Sequence, residues 1–122
     1  MPVTNTISGD IFLITLPGFP DLVIDPADVE ELENASFYRV SGVLIDDLVT
    51  FIVTPYFGGS YLSVTYTDGD RVEDDSTRGR GECHFTHTVK QDEERVSLEI
   101  WSGEKSDANN TKRTVVLIFN VK

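Results

Sequence analysis

The most acidic stretch of this 122-residue chain is YTDGDRVEDD, residues 66–75. Calcium takes about six to eight oxygen ligands, so a loop this rich in carboxylates is a candidate calcium site. The composition also suits a hairpin tip that stays in water, where solvent screens the repulsion between neighbouring carboxylates. We favour the solvated turn and keep calcium as the alternative. The candidate calcium ligands are Asp68, Asp70, Glu73, Asp74 and Asp75.

Known calcium motifs fit this run only in part. An EF-hand loop starting at Asp68 would have Glu73 at its glycine position and Gly79 at its bidentate glutamate position, so that motif is excluded. The segment DGDRVEDD resembles the third calcium loop of C2 domains, which are also β-sandwiches, and this resemblance implies a calcium site. It covers this segment alone, because the companion acidic loop has no counterpart beyond DLVIDPAD. We therefore assign the chain to no family.

Two histidines and one cysteine are the other candidate metal ligands or catalytic groups. In a strand, His84 and His87 lie on opposite faces. His87 shares a face with Cys83, but four residues of strand separate them by about 13 Å, too far for a thiolate–imidazole pair. We interpret His87 as a histidine at the edge of the core and Cys83 as a small buried hydrophobe. The chain has no nucleophile elbow, P-loop or dinucleotide fingerprint, so we expect no enzyme, although a glycosidase-type carboxylate pair stays open.

The elements that must position these groups are strands, because apolar residues recur with period two in segments such as SYLSVTYT and RVSLEIW. The pattern predicts a single all-β domain over residues 1–122, an antiparallel β-sandwich or flattened β-barrel of about seven or eight strands, connected as a meander. A short helix is predicted near residues 26–33, with Asp25 as its N-cap and Pro26 at its first position. Strands are predicted near 11–16, 36–45, 48–54, 60–67, 83–90, 95–101 and 114–121, with a short one at 22–24.

Trp101 is the residue that most suggests a ligand. Alternation places it with Ser97 and Glu99 on the polar face of its strand, where an indole needs cover from a loop, a second subunit or a ligand. Tyr61 also falls on a polar face, and Tyr56 lies beside a glycine-rich segment. Exposed aromatic rings near carboxylates and amides suit carbohydrate, and they suit a protein interface equally well. The predicted ligand-binding residues are Trp101, Tyr61, Tyr56, Asp107 and Asn109.

The net charge of −11 limits the partners of the chain. Residues 1–50 hold nine acidic side chains and one basic one, Arg39. Phosphates and anionic membranes repel such a surface, so we expect neither nucleic-acid binding nor membrane insertion. No basic segment precedes the first apolar run, which argues against a secretory signal peptide. We expect a cytoplasmic protein, or one exported without such a peptide.

Three functions follow from these observations. The leading one is a non-catalytic, lectin-like module that binds carbohydrate. The first alternative is an acidic inhibitor or decoy that binds a basic protein through the carboxylates of residues 21–47. The second is a calcium-dependent adhesion module that uses the 68–75 run. No cofactor is expected apart from calcium in that last case, and homo-oligomerisation stays open.

Overall fold

The computed structural model describes residues 4–9, 11–17, 23–26, 35–56, 61–77, 81–103 and 111–122. These residues form ten β-strands and no helix. Within them, no helix is long and apolar enough to cross a membrane. The strands are β1 (Thr4–Ser8), β2 (Phe12–Pro17), β3 (Val23–Pro26), β4 (Ala35–Val43), β5 (Leu48–Pro55), β6 (Leu62–Asp68), β7 (Arg71–Thr77), β8 (Cys83–Thr88), β9 (Glu94–Trp101) and β10 (Lys112–Val121).

Two sheets pack face to face as a sandwich. The smaller sheet has the order β1-β2-β5-β8, and the larger has the order β3-β4-β10-β9-β6-β7. Every neighbouring pair is antiparallel except β4 and β10, which run parallel. Neither sheet closes into a barrel within the described residues. The predicted all-β sandwich is therefore confirmed.

The predicted meander is wrong. Consecutive strands are neighbours in four pairs, β1-β2, β3-β4, β6-β7 and β9-β10. The chain otherwise passes between the sheets, for example from β4 to β5 through the turn at residues 44–47. A link of four residues can close a hairpin or carry the chain across a sandwich edge, so link length alone does not separate the two topologies.

Two strands were not predicted. β1 lies in the first ten residues, and β7 occupies the acidic run itself. Nearly all side chains of β7 are exposed, so it has no apolar alternation, yet its backbone pairs with β6 along its whole length. Asp25 and Pro26, the predicted start of a helix, are the last residues of β3. The remainder of that predicted helix lies outside the described residues.

The core lies between the two sheets, at the positions that alternation assigns to the inward faces. Aromatic rings fill its centre: the ring centroid of Phe51 is 6.0 Å from that of Tyr66 and 6.2 Å from that of Phe119. Tyr66 stacks on Phe85 of the opposite sheet, with centroids 5.4 Å apart. Contacts of this kind fix the spacing of the sheets and hence the positions of side chains at the ends of the strands.

We predict that Leu117→Ala lowers the free energy of unfolding by about 2–5 kcal/mol, because Leu117 is fully buried on β10. Leu48→Ala is the matched control, since the Leu48 side chain is 58% exposed at the start of β5. The control should change stability by no more than about 0.5 kcal/mol. Urea denaturation of both variants measures the difference, and equal losses would contradict this description of the core.

Candidate functional site

Three inward-facing polar side chains meet at one end of the sandwich. Each lies two residues from a buried core residue of its own strand, in the same alternation phase, and is therefore directed between the sheets. Antiparallel pairing brings the end of β6 beside the start of β9, with the end of β8 on the facing sheet. The three residues are Asp68 on β6, His87 on β8 and Glu94 on β9.

His87 is the centre of this cluster. Its side chain is only 2% exposed, and its ring stacks on Phe119 with centroids 5.0 Å apart. Nδ1 lies 2.7 Å from Oδ2 of Asp68, while Nε2 contacts Oε1 of Glu94 on the other side of the ring. One donor atom from each residue lies within 4.8 Å of the others. The cluster therefore combines an imidazole and two carboxylates in one small volume.

The contact between Nε2 and Glu94 differs from the contact at Nδ1. Nδ1 and Asp68 form a hydrogen bond, and because a carboxylate only accepts, Nδ1 carries the proton. Nε2 of His87 and Oε1 of Glu94 are both buried, and neither has a hydrogen-bond partner among the described residues. They touch without the orientation that a hydrogen bond needs.

Tyr66 holds the Asp68 carboxylate from the core side. Its hydroxyl donates to Oδ2 of Asp68 at 3.1 Å. Burial raises the pKa of the Tyr66 phenol far above its ordinary value, and the Asp68 carboxylate raises it further, so the hydroxyl remains a donor. Asp68 thus accepts hydrogen bonds from the Tyr66 hydroxyl and the His87 ring, which fixes its position beside the imidazole.

A tight turn sets the direction of Asp68. Asp68 and Arg71 pair directly, so the loop between β6 and β7 contains only Gly69 and Asp70. Gly69 has a φ of 60°, the left-handed conformation that glycine adopts without steric cost. Arg71 then reaches across the sandwich, donating to the Thr86 carbonyl at 2.8 Å and covering the Tyr66 ring at 5.5 Å.

A second turn sets the position of Glu94. Oδ1 of Asp92 accepts from the backbone N–H groups of Glu93 at 3.0 Å and Val121 at 2.8 Å. Glu93 has a φ of 58°, and its N–H donates to the Phe119 carbonyl at 2.7 Å. These bonds tie the turn to the end of β10, so that β9 starts with Glu94 facing inward.

The five predicted calcium ligands do not converge. Asp68 faces His87, whereas Asp70 lies in the turn and Glu73 pairs with Arg71 at 3.1 Å. Asp74, on the outer face, accepts from the Thr65 hydroxyl at 2.6 Å. Asp75 accepts from the N–H of Ser76 at 2.8 Å. The run is a paired hairpin whose carboxylates lie on two faces, and calcium binding by it stays a prediction.

The two histidines lie on opposite faces, as alternation predicted. His84 is exposed, with Nε2 2.8 Å from Oε2 of Glu82, while His87 is buried. The interpretation of His87 as a core-edge residue did not include its two carboxylate partners. The sequence did contain a usable signal. The alternation that directs Tyr66 and Val96 inward also directs inward the residues two positions away, Asp68 on β6 and Glu94 on β9.

Cys83 is fully buried, which confirms its interpretation as a small hydrophobe. Burial, and to a smaller extent the neighbouring Asp75 carboxylate, raise the pKa of its thiol from 9.0 to about 12. The thiolate is the reactive form, so the native protein holds this cysteine in an unreactive state at neutral pH.

Trp101 lies where alternation predicted, on the outer face of the larger sheet and outside the core between the sheets. It is partly exposed and pairs with Ser63 on one side and Lys112 on the other. Nζ of Lys112 lies 5.3 Å from the indole centroid. Nε1 is buried and has no hydrogen-bond partner within the described part of the chain.

The other predicted ligand-binding residues are dispersed. Tyr61 is half-buried and directly precedes β6, two residues before Ser63, the strand partner of Trp101. Tyr56 follows β5 of the smaller sheet and is 48% exposed. The fold therefore brings Tyr61 to the Trp101 end of the larger sheet and Tyr56 to the same end of the other sheet. Asp107 and Asn109 lie outside the described residues.

Comparison with known proteins identifies no relative. The chain matches no protein-family model, no curated protein and no solved structure. Its function therefore has to be argued from its own residues.

We predict that iodoacetamide modifies Cys83 only slowly in the native protein at pH 8, because the thiol is buried and remains protonated. Unfolding in urea should expose the thiol and lower its pKa toward the ordinary value, so the modification rate should become that of an ordinary cysteine. Mass spectrometry of timed samples gives the two rates. A native rate equal to the unfolded rate would contradict the burial of this thiol.

Proposed function

We propose that this chain is a non-catalytic binding module that binds carbohydrate on the outer face of its larger sheet, around Trp101. The observation that carries the proposal is a partly exposed indole on a sheet face whose neighbouring groups are polar. A pyranose ring presents an apolar face that stacks on an aromatic ring, and its hydroxyls need donors and acceptors around that ring.

The groups around Trp101 supply both kinds of hydrogen-bonding partner. Glu99, on the same strand face, offers carboxylate oxygens, and Lys112 offers an ammonium group 3.4 Å from one of them. The Ser63 hydroxyl, opposite Trp101, donates to the Gly103 carbonyl at 2.6 Å and so fixes the backbone beside the indole. This set suits a neutral polyhydroxylated ligand better than an apolar one.

Lys112 covers part of the indole in the free protein, and a stacked sugar has to displace it. A cation–π contact at an exposed site contributes about 0.5–1 kcal/mol, and the lysine stem is flexible. A stacked ligand with several hydrogen bonds can offset this cost. The lysine then becomes a donor at the rim of the site.

The acidic decoy remains a second candidate because exposed carboxylates occur on its predicted surface. Asp25 on β3 and Asp46 in the turn after β4 are both exposed. A basic partner held by such groups would be attracted over a Debye length of about 8–10 Å and released by salt. Carbohydrate held by stacking and neutral hydrogen bonds would be insensitive to salt.

We expect Trp101→Ala to weaken carbohydrate binding more than tenfold, while Trp101→Phe, which keeps a stacking ring, retains part of the affinity. Screening the protein on a glycan array first identifies the sugar for titration. Trp101 is the single tryptophan of the chain, so its fluorescence should change as that sugar binds.

The salt dependence of the same titration separates the two candidates. An affinity that is unchanged between low and high salt supports the carbohydrate site. A protein that binds no glycan on the array, or whose affinity for glycan survives Trp101→Ala, contradicts it. Binding of a basic protein that falls steeply with salt and responds to Asp25→Asn and Asp46→Asn supports the decoy.

A further inference from the structure

We propose that His87 and Glu94, with Asp68 orienting the imidazole, form a binding site for a divalent first-row metal ion, for which Zn²⁺ is the probe. The site lies at the end of the sandwich away from Trp101, because Glu94 starts β9 and Trp101 ends it. It is independent of the carbohydrate proposal. The inference rests on an unpartnered pair of buried atoms within a group of metal-ligating side chains.

The tautomer of His87 determines which of its ring nitrogens is available to a metal ion. Its Nδ1 donates to Asp68, so in the neutral imidazole Nε2 presents a lone pair. Nε2 is in contact with a carboxylate oxygen of Glu94, which also carries only lone pairs. Two acceptors in contact repel each other unless a cation lies between them. That cation is either a proton, which gives an imidazolium, or a metal ion.

The hydrogen bond at Nδ1 is the arrangement that metal-binding histidines commonly use. A ligating imidazole typically donates its other N–H to a carboxylate, which fixes the tautomer and increases the basicity of the ligating nitrogen. Asp68 is in that position, and the Tyr66 hydroxyl fixes Asp68 in turn. Stacking on Phe119 holds the ring plane, so Nε2 has a fixed position beside Glu94.

The donor set selects the class of metal. One imidazole nitrogen and one carboxylate, with water at the remaining positions, suit zinc and neighbouring first-row ions, whereas calcium takes about six to eight oxygens and tetrathiolate sites need cysteine. With a neutral imidazole, the carboxylates of Asp68 and Glu94 leave two uncompensated negative charges in a largely buried cluster. A divalent cation neutralises them.

The distances require only a local adjustment. Two donors bonded to one ion at about 2.1 Å can be no more than about 4.2 Å apart, and Nε2 of His87 already touches Oε1 of Glu94. The Glu94 side chain is 14% exposed, so it can rotate to make room for the ion and give it a path from solvent. His87, which is nearly inaccessible, does not have to move.

The test is a titration of metal-stripped protein with Zn²⁺ by isothermal calorimetry. We expect one equivalent to bind and the melting temperature to rise as it does. Titration with Co²⁺ should give visible absorption bands that report the ligand environment. If neither ion binds stoichiometrically, the metal proposal is overturned.

Matched variants locate the bound ion. Glu94→Gln removes a ligand and should weaken Zn²⁺ binding at least tenfold, whereas Glu93→Gln, the same change one residue earlier on an exposed side chain, should leave it unchanged. His87→Gln is paired with His84→Gln in the same way. The exposed His84–Glu82 pair is the alternative surface site, so loss of binding in His84→Gln with retention in Glu94→Gln would overturn the assignment.

Substitution of a buried histidine can also unfold the protein, so circular dichroism accompanies each variant. Glu94→Gln is nearly isosteric and keeps the test decisive if His87→Gln does not fold. Glycan binding of Glu94→Gln should equal that of the unmodified protein, because the Trp101 face lies at the other end of β9. Failure of the metal site and failure of the carbohydrate site are thus separate results.

Discussion

The alternation of side chains along a pleated strand is the constraint on which this structure depends. Every second residue is directed between the two sheets, and the aromatic contacts of Phe51, Tyr66 and Phe119 set how far apart those sheets lie. A polar residue in the inward phase cannot turn away without shifting the register of its whole strand. At the strand ends, such a residue therefore remains partly buried and has to find a polar partner.

Asp68, His87 and Glu94 show how that requirement is met. Asp68 and Glu94 each continue the apolar face of their strand by one polar residue, and both meet His87, which lies between the core residues Phe85 and Val89 on the facing sheet. Two turns with left-handed backbone at Gly69 and Glu93 hold the flanking chain in place. The cost of burying charge near the core is thus limited to one end of the sandwich, where the carboxylates still reach solvent.

The fold class and the faces of individual residues could be predicted because they follow from local periodicity. The outward position of Trp101, the burial of Cys83 and the separation of His84 from His87 are all consequences of period two. Strand β7 could not be found in this way, because an edge strand with exposed side chains on both faces has no apolar pattern. The parallel pairing of β4 with β10 is set by packing over the whole domain and produces no local pattern in the sequence.

The candidate site was predictable only in part for the same reason. Asp68 stood out within an acidic run and His87 as one of two histidines, but their meeting with Glu94 depends on which strands become neighbours. The inward phase of Glu94 was readable, yet the sequence QDEE around it favours a turn. The three residues come from three strands in two sheets, so their meeting can be predicted only when the strand order is known.

The acidic β7 strand also has a consequence for the behaviour of the protein in solution. As the last strand of its sheet, β7 has one side of its backbone without a neighbouring strand in the described structure, a template for further pairing. Its charged side chains, Arg71, Glu73, Asp74 and Asp75, make approach by a second copy electrostatically unfavourable. This edge therefore guards against aggregation.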